Sequence, residues 1–421
     1  MADSYKGVRD FYPEDERIQR FMFDRIECVV ESFGYEPYNG SVLELTELYS
    51  EKTSEEIIKE QTYTFTDRGG RSVTLRPEMT PTVARMVAKR RRELGYPLRW
   101  YSIPNCFRYE RPQKGRLREF WQLNVDLFGA AGGDADAEII EVAYRIMRAF
   151  GVGEETFEIK VADRGLLETA FDAVTMTPDQ RNQYRRLLDK KLKITKQDFE
   201  NEARAIAAND PLALIENRDE SVAQALGDVE RLIETLKARG VGNVSFDPSV
   251  VRGFDYYTGV VFEIFDTTGE DTGSMYGGGR RSLFGGGRFD YLIEEYGGDH
   301  VPAVGFGMGD VTLRDFLEKH NLLPPERATA DLYLAPATTT DAERAAGAAA
   351  FLRSKGVNVA LGMKHEKIAD HAKAARKLSI PFFIAYGENE ERTGEVLIRD
   401  LVRKEEKAVT LQDAPRTILE G

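Results

Sequence analysis

Apolar side chains between residues 14 and 34 fall at Ile18, Phe21, Met22, Ile26, Val29, Val30 and Phe33. This three-and-four spacing marks one face of a helix, with Gly34 as its predicted stop. The run YEPYNGSVLEL then reads as extended chain. QTYTFTDRGGRSVTLRP alternates Thr, Tyr, Phe and Val about Arg68-Gly69-Gly70, the pattern of a hairpin. TPTVARMVAKRRREL predicts a helix opened by Thr80 and Pro81. LRWYSIPNCFRYE and EFWQLNVDLFG predict two strands around a loop, and residues 135–150 predict a helix. The first 150 residues are therefore mixed, with antiparallel strands and helices and no βαβ alternation.

Residues 168–238 change character: they are polar and helical in period, and predict an inserted helical module. Strand-like sequence resumes at VSFDPSVVRGFDYYTGVVFEIFD, followed by YGGGRR and FGGGRFD. PAVGFGMGDVTLRDFLEKH predicts a strand and then a helix, and Pro324-Pro325 a linker. From residue 330 onward, strands ADLYLAPA, VNVALGM and PFFIAYG alternate with helices, and GEVLIRDL reads as a last strand. This predicts a small α/β domain with a mostly parallel sheet.

A length of 421 residues suggests two or three domains. No window approaches the roughly 18 apolar residues of a membrane span. The opening MADSYKGVRDFYPEDER lacks an apolar export region, and the two cysteines, Cys28 and Cys106, have no disulfide or metal spacing. The expectation is a cytoplasmic protein without a membrane partner. His300, His320, His365 and His371 lie in no metal or triad motif. There is no Walker loop, no G-x-G-x-x-G in a Rossmann setting and no G-x-S-x-G elbow.

The formal charge of −13 argues against indiscriminate nucleic-acid binding, yet residues 78–118 carry eleven basic side chains against three acids. FRYERPQKGR, residues 107–116, concentrates this charge. On paired strands alternate residues share a face. Arg108 and Glu110 share one face; Phe120, Gln122, Asn124 and Asp126 share another. Together they can line one sheet surface with a planar cation, an aromatic ring, an amide and a carboxylate, a bed for a nucleotide beside a small amino acid. Guanidinium suits phosphate because it stays charged and donates in a fork. The alternative is a surface hairpin with cross-strand ion pairs. Glu78, in RPEMT, can hold an ammonium group or merely favour a helix start. In VRGFDYYTGVVFE two consecutive tyrosines on a strand face opposite ways, which puts at least one in the core.

On these segments the chain resembles the histidyl-tRNA synthetases, class II aminoacyl-tRNA synthetases, over nearly its whole length. KGVRDFYPEDERIQRFMFDRIECVVESFGYEPY resembles the amino end and motif 1, TLRPEMTPTVAR the segment after it, and FRYERPQKGRLREFWQLNVDLFG motif 2. VRGFDYYTGVVFE is similar to the histidine-specific signature, and VPAVGFGMG to the start of motif 3. The resemblance implies an α+β catalytic core with an antiparallel sheet over 1–323, interrupted by the helical insertion at 168–238. A C-terminal α/β anticodon-binding domain would follow over 328–421. It implies ATP as substrate, Mg2+, tRNA(His) as partner and a homodimer. Arg108 and Arg252 are the implied catalytic cations. Glu78, Met79, Thr80, Arg108, Gln122, Asp126, Arg252, Tyr256 and Tyr257 are implied to bind histidine. Arg108, Glu110, Arg116 and Phe120 are implied to bind ATP, and Arg111, Gln113 and Lys114 to bind tRNA. Lys89–Arg92 and the basic helix around Arg181–Lys196 are further candidates for tRNA backbone contact, or plain solvated faces. Motif 3 departs from the family's Gly-Leu-Glu-Arg-Leu, reading Gly309-Asp310-Val311-Thr312-Leu313, so Thr312 stands where an arginine for the γ-phosphate is expected. Arg280, Arg281, Arg288 and Arg314 are the candidate substitutes. A non-catalytic, histidine-sensing paralogue is the alternative; such chains generally lack the last domain.

Overall fold

The computed structural model describes residues 4–50, 61–110, 115–191, 194–250, 256–269, 281–325, 328–363 and 367–420. The chain divides into two compact units, Met1–Leu323 and Pro324–Gly421.

The first unit opens with α1 (Pro13–Ser32), which has proline in its first turn together with Glu14, Asp15 and Glu16. It buries Gln19, Met22, Ile26 and Val30 and ends before Gly34, whose φ of +81° is open to glycine at no steric cost. The central sheet runs β1 (Glu36–Pro37), β5 (Leu98–Ser102), β7 (Glu119–Phe128), β12 (Ala303–Gly309), β11 (Arg281–Arg288), β10 (Val260–Asp266), β8 (Phe157–Asp163), β9 (Val244–Phe246), side by side in that order. Its two outer pairings, β1 with β5 and β8 with β9, are parallel, and the others are antiparallel. β6 (Asn105–Phe107) pairs with the start of β7. The segment LRWYSIPNCFRYE thus forms two strands rather than one. Pro104 interrupts it, since proline has no N–H for a ladder, and Arg108 and Glu110 fall just past the second strand.

β7 sorts its side chains by parity. Leu123, Val125 and Leu127 join the apolar core that also holds Ile139, Ile140, Ala143 and Met147 of α4 (Gly133–Ala149). Gln122, Asn124 and Asp126 therefore face the other side of the sheet. A smaller sheet of β2 (Leu43–Leu45), β4 (Ser72–Leu75) and β3 (Tyr63–Thr66) precedes α3 (Thr80–Arg90). One turn of helix, α2 (Glu47–Ser50), lies between β2 and β3 in the chain.

The helical stretch comprises α5 (Arg164–Ala173), α6 (Pro178–Lys190), α7 (Lys196–Ile206), α8 (Pro211–Glu216) and α9 (Ala223–Ala238). Tyr184, Leu187, Phe199, Leu212 and Leu226 share one apolar cluster with Ile159 and Val161 of β8, so the helices extend the main core. Of the basic side chains there, Arg181 pairs with Glu168 at 3.1 Å and Arg185 bonds the same carboxylate, while Arg186, Lys190 and Lys196 are exposed. Of the earlier basic run, Arg90 pairs with Glu93 at 2.8 Å and Arg91 with Asp299 at 2.9 Å.

In the second unit β14 (Val359–Leu361), β13 (Leu332–Pro336), β15 (Phe382–Tyr386), β16 (Glu395–Asp400) and β17 (Glu405–Thr410) lie side by side in that order. The helices α12 (Ala342–Ser354) and α13 (Ile368–Lys377) connect the parallel strands. GEVLIRDL is not the last strand. β16 and β17 form an antiparallel hairpin, and only two of the four pairings in this sheet are parallel. The links that follow β15 are too short for the dozen-residue crossover that parallel pairing needs. Short helices α14 (Glu388–Thr393) and α15 (Ala414–Leu419) complete the unit. In the first unit α10 (Leu292–Glu295) lies between β11 and β12 in the chain, and α11 (Asp310–Lys319) follows β12. Among the described residues no helix is long and apolar enough to cross a membrane.

Candidate functional site

The polar face of β7 is the floor of a cavity of about 560 Å³. From Phe120 to Asp126 it offers a cradle about 20 Å long, at roughly 3.4 Å per residue. Glycine keeps this floor open. A β-carbon on Gly305 would lie 2.3 Å from Asp126 Oδ1, and one on Gly307 would lie 2.2 Å from Gln122 Nε2. The alternating glycines of GFGMG on β12 thus leave room for the two polar side chains of the neighbouring strand. On β11, a β-carbon at Gly287 would lie 3.0 Å from Tyr257 Cδ1.

At one end of the cradle, Arg108 donates from Nε to Pro77 O at 2.9 Å and sits over the Phe120 ring at 5.4 Å. Among the described residues no carboxylate pairs with it. Glu110 and Arg116, also on the wall, pair at 3.3 Å. In the middle, Gln122 Nε2 donates to Asn124 Oδ1 at 3.1 Å, while Asn124 donates to Gln122 O at 2.9 Å. Asn124 is buried and does not line the cavity; it holds Gln122 in place. Glu78 and Thr80 join the lining from the entry to α3, with Glu78 buried.

At the far end, Asp126 is 3% exposed and its Oδ2 has no hydrogen-bond partner. Burial pushes its carboxyl up to about 7. The Tyr38 hydroxyl is the neighbour that opposes this shift, yet it too lacks a well-formed hydrogen bond, as does the nearby Ser102 Oγ. On β6, opposite Phe120, burial raises the Cys106 thiol to about 12, so this cysteine is no nucleophile.

Ten of the residues singled out from sequence line this one cavity: Glu78, Thr80, Arg108, Glu110, Arg116, Phe120, Gln122, Asp126, Tyr256 and Tyr257. Met79 does not. It is fully buried against Gly40, because as the residue before α3 it packs inward while its neighbours face out. Both tyrosines reach the cavity, with ring centroids 4.9 Å apart. The strand expected to separate them begins only at Val260, so strand alternation does not apply. Tyr257 is nonetheless also part of an apolar cluster with Val261 and Phe289. Arg252, Arg111, Gln113, Lys114 and Arg280 lie outside the described residues.

Thr312 lines the cavity. Of its candidate substitutes, Arg288 is 8% exposed and fastened to Asp136 at 2.8 Å and Asp290 at 2.9 Å. Arg314 pairs with Asp15 at 2.6 Å. Asp310, another altered motif position, is buried. It accepts from Arg9 at 2.6 Å and from the Trp121 N–H at 2.9 Å, and burial raises its carboxyl despite both partners. It ties the amino-terminal segment, β7 and the start of α11 together.

Sequence reasoning passed over Gln61, Glu263 and Ser282, which also line the cavity. Glu263 carried a signal, being the single acid in the apolar strand VVFEIFD before its closing Asp. Among the described residues no three His, Cys, Asp or Glu side chains gather as a metal cage. Glu263 with Ser282 suits a different arrangement, in which a hydrated magnesium ion is shared with phosphates.

A family model described as Histidyl-tRNA synthetase matches residues 7–311, and one described as Anticodon binding domain matches 331–421. A histidine–tRNA ligase of Leptospira biflexa is 39% identical over 434 residues, covering 100% of this chain and 98% of the relative. One from Thermoplasma volcanium is 36% identical over 429 residues, covering 98% and 97%. The crystal structure of histidyl-tRNA synthetase from Nostoc matches with a TM-score of 0.80 over 99% of each chain at 22% identity, a likeness of fold.

Proposed function

The chain belongs to the histidyl-tRNA synthetase family, and from that premise we propose that its cavity joins histidine to ATP as histidyl-adenylate and passes the histidine to tRNA(His). The observation that carries this reading is the presence, in one cavity, of a cation without a carboxylate partner and of a buried acid oxygen without a hydrogen bond. Arg108 has no carboxylate partner among the described residues, and Asp126 keeps a buried oxygen without a hydrogen bond. A ligand with an anionic centre and a ring N–H satisfies both.

In the first step the histidine carboxylate attacks the α-phosphate of ATP and pyrophosphate leaves. Both reactants are anionic, so the work is positioning and charge neutralisation. Arg108 bridges carboxylate and α-phosphate, and Arg252 is assigned the opposite side by its place in the family signature. Phe120 offers the ring face not covered by Arg108 to adenine. Glu110 meets the adenine edge, and Arg116 the outer phosphates. Glu78, Thr80 and Gln122 receive the α-ammonium. Asp126 accepts an imidazole N–H, with a tyrosine of the 256–257 pair at the ring's other nitrogen. An amino acid lacking those nitrogens leaves buried groups unpaired, each at a cost of about 1–3 kcal/mol. Magnesium fits beside Glu263 and supplies neutralising charge to the phosphates when bound.

Acceptor-end contacts are assigned to Arg111, Gln113 and Lys114, and anticodon contacts to the second unit. A cytoplasmic setting goes with the tRNA substrate. A homodimer is part of the proposal. Leu43, Leu45 and Phe65 are 48%, 44% and 48% exposed on one face of the small sheet, an apolar patch suited to a second copy. The sensor alternative has no observation of its own in its favour.

The test is histidine-dependent exchange of labelled pyrophosphate into ATP, with other amino acids as controls and Arg108→Ala alongside. Exchange with histidine alone, lost in Arg108→Ala, supports adenylate formation, and tRNA charging tests the second step. Histidine binding by calorimetry without any exchange would overturn the enzyme reading in favour of a sensor.

A further inference from the structure

We propose that Arg281 takes the outermost phosphate of ATP, in place of the arginine that position 312 lacks; this rests on the adenylate-forming reading above. Residues 312 and 315 are one turn apart on α11 and share a face. Asp315 Oδ2 holds Arg281 Nη1 at 3.1 Å. A guanidinium carried by β11 is thus held against the side of the helix from which a motif 3 arginine would project.

The same group reaches the opposite wall. A β-carbon on Gly115 would lie 1.6 Å from Arg281 Nη2, and Gly115 has a φ of +78°. Only glycine admits both that backbone and that approach. Gly115 and Arg116 line the cavity, as do Ser282 and Leu283, the residues that follow Arg281. Arg281, though not itself in the lining, therefore stands at the edge of the cavity, between Gly115 and Asp315 of α11.

Its environment suits exchange of partners. The side chain is 35% exposed and, among the described residues, its one ion pair is to Asp315, itself 25% exposed. A terminal phosphate offers the guanidinium fork more charge and more acceptors than that carboxylate. The competitors are committed elsewhere: Arg288 to two carboxylates, Arg314 to Asp15, and Arg9 to Asp310.

Two measurements on the full chain test this. In pyrophosphate exchange, Arg281→Ala is expected to raise the KM for ATP about tenfold or more and leave the KM for histidine unchanged. Adding Thr312→Arg to that variant is expected to recover most of the loss, and Arg314→Ala to change neither constant. In direct titration, Arg281→Ala is expected to weaken ATP but not AMP, because AMP has no outer phosphate. Arg281→Gln serves if the alanine variant does not fold. An unaltered ATP constant, or equal weakening of ATP and AMP, would overturn the assignment. A wild-type chain without exchange would defeat the adenylate reading, while the ATP-against-AMP comparison still decides for or against Arg281.

Discussion

Replacing Asp126 by asparagine separates what this carboxylate does for the fold from what it does for the ligand. Its carboxyl stands at about 7 instead of 3.8, because burial penalises the charge. That difference corresponds to about 4 kcal/mol against the ionised form in the folded chain. Between the two values the folded state holds a proton that the unfolded chain has already released. Stability therefore falls as pH rises from about 4 towards 7 and levels off above it. From pH 5 to pH 8 the native chain forfeits about 2.5 kcal/mol on this account, and Asp126→Asn forfeits none of it. The variant's unfolding midpoint is expected to gain on the native one at pH 8 relative to pH 5. The chain's two tryptophans, Trp100 and Trp121, lie on strands next to the site, Trp100 directly opposite Asp126, so urea unfolding followed by their fluorescence reports this unit. In the same variant kcat/KM for histidine is expected to drop about 10–100-fold, with the KM for ATP unmoved. A stability difference that is the same at both pH values would refute the reasoning, since it would mean that Asp126 does not titrate there.

Gly305→Ala is expected to raise the KM for histidine sharply, since its β-carbon would lie 2.3 Å from Asp126 Oδ1 and 2.6 Å from Val125 O, and steady-state exchange kinetics read this. Thermal unfolding of Arg288→Met is expected to show a loss of about 3–5 kcal/mol, because Asp136 and Asp290 lose their shared cation in a buried place. The native chain is expected to sediment as a dimer and a Leu45→Glu, Phe65→Glu double variant as a monomer; an unchanged mass in the variant would remove this face from the interface.

Much of the site was legible because its chemistry is written in short segments. Arg108, Glu110, Phe120, Gln122 and Asp126 lie within twenty residues, and strand parity alone separates Gln122 and Asp126 from Leu123 and Val125. Met79 packs away from the cavity, since adjacency in a motif does not say which way a side chain points at a helix entry. Of the tyrosine pair, Tyr257 is in the core as expected, though not through strand alternation, since the strand starts only at Val260. Periodicity placed the helices well for the same reason it blurred the second unit's last strand. Local spacing fixes an element, and partner direction follows from connection length.

What the chain alone determined was most of the helices and strands, the polar face of β7 and the position of the cationic segment in the chain, since these depend on near neighbours and on backbone sterics. The tertiary structure decided which distant residues meet. Gly305 makes room for Asp126, Arg9 closes on Asp310, and Arg281 pairs with Asp315, one helical turn from Thr312. All of these contacts join residues more than thirty positions apart. Only the ordering of strands brings them together, and no local pattern records it.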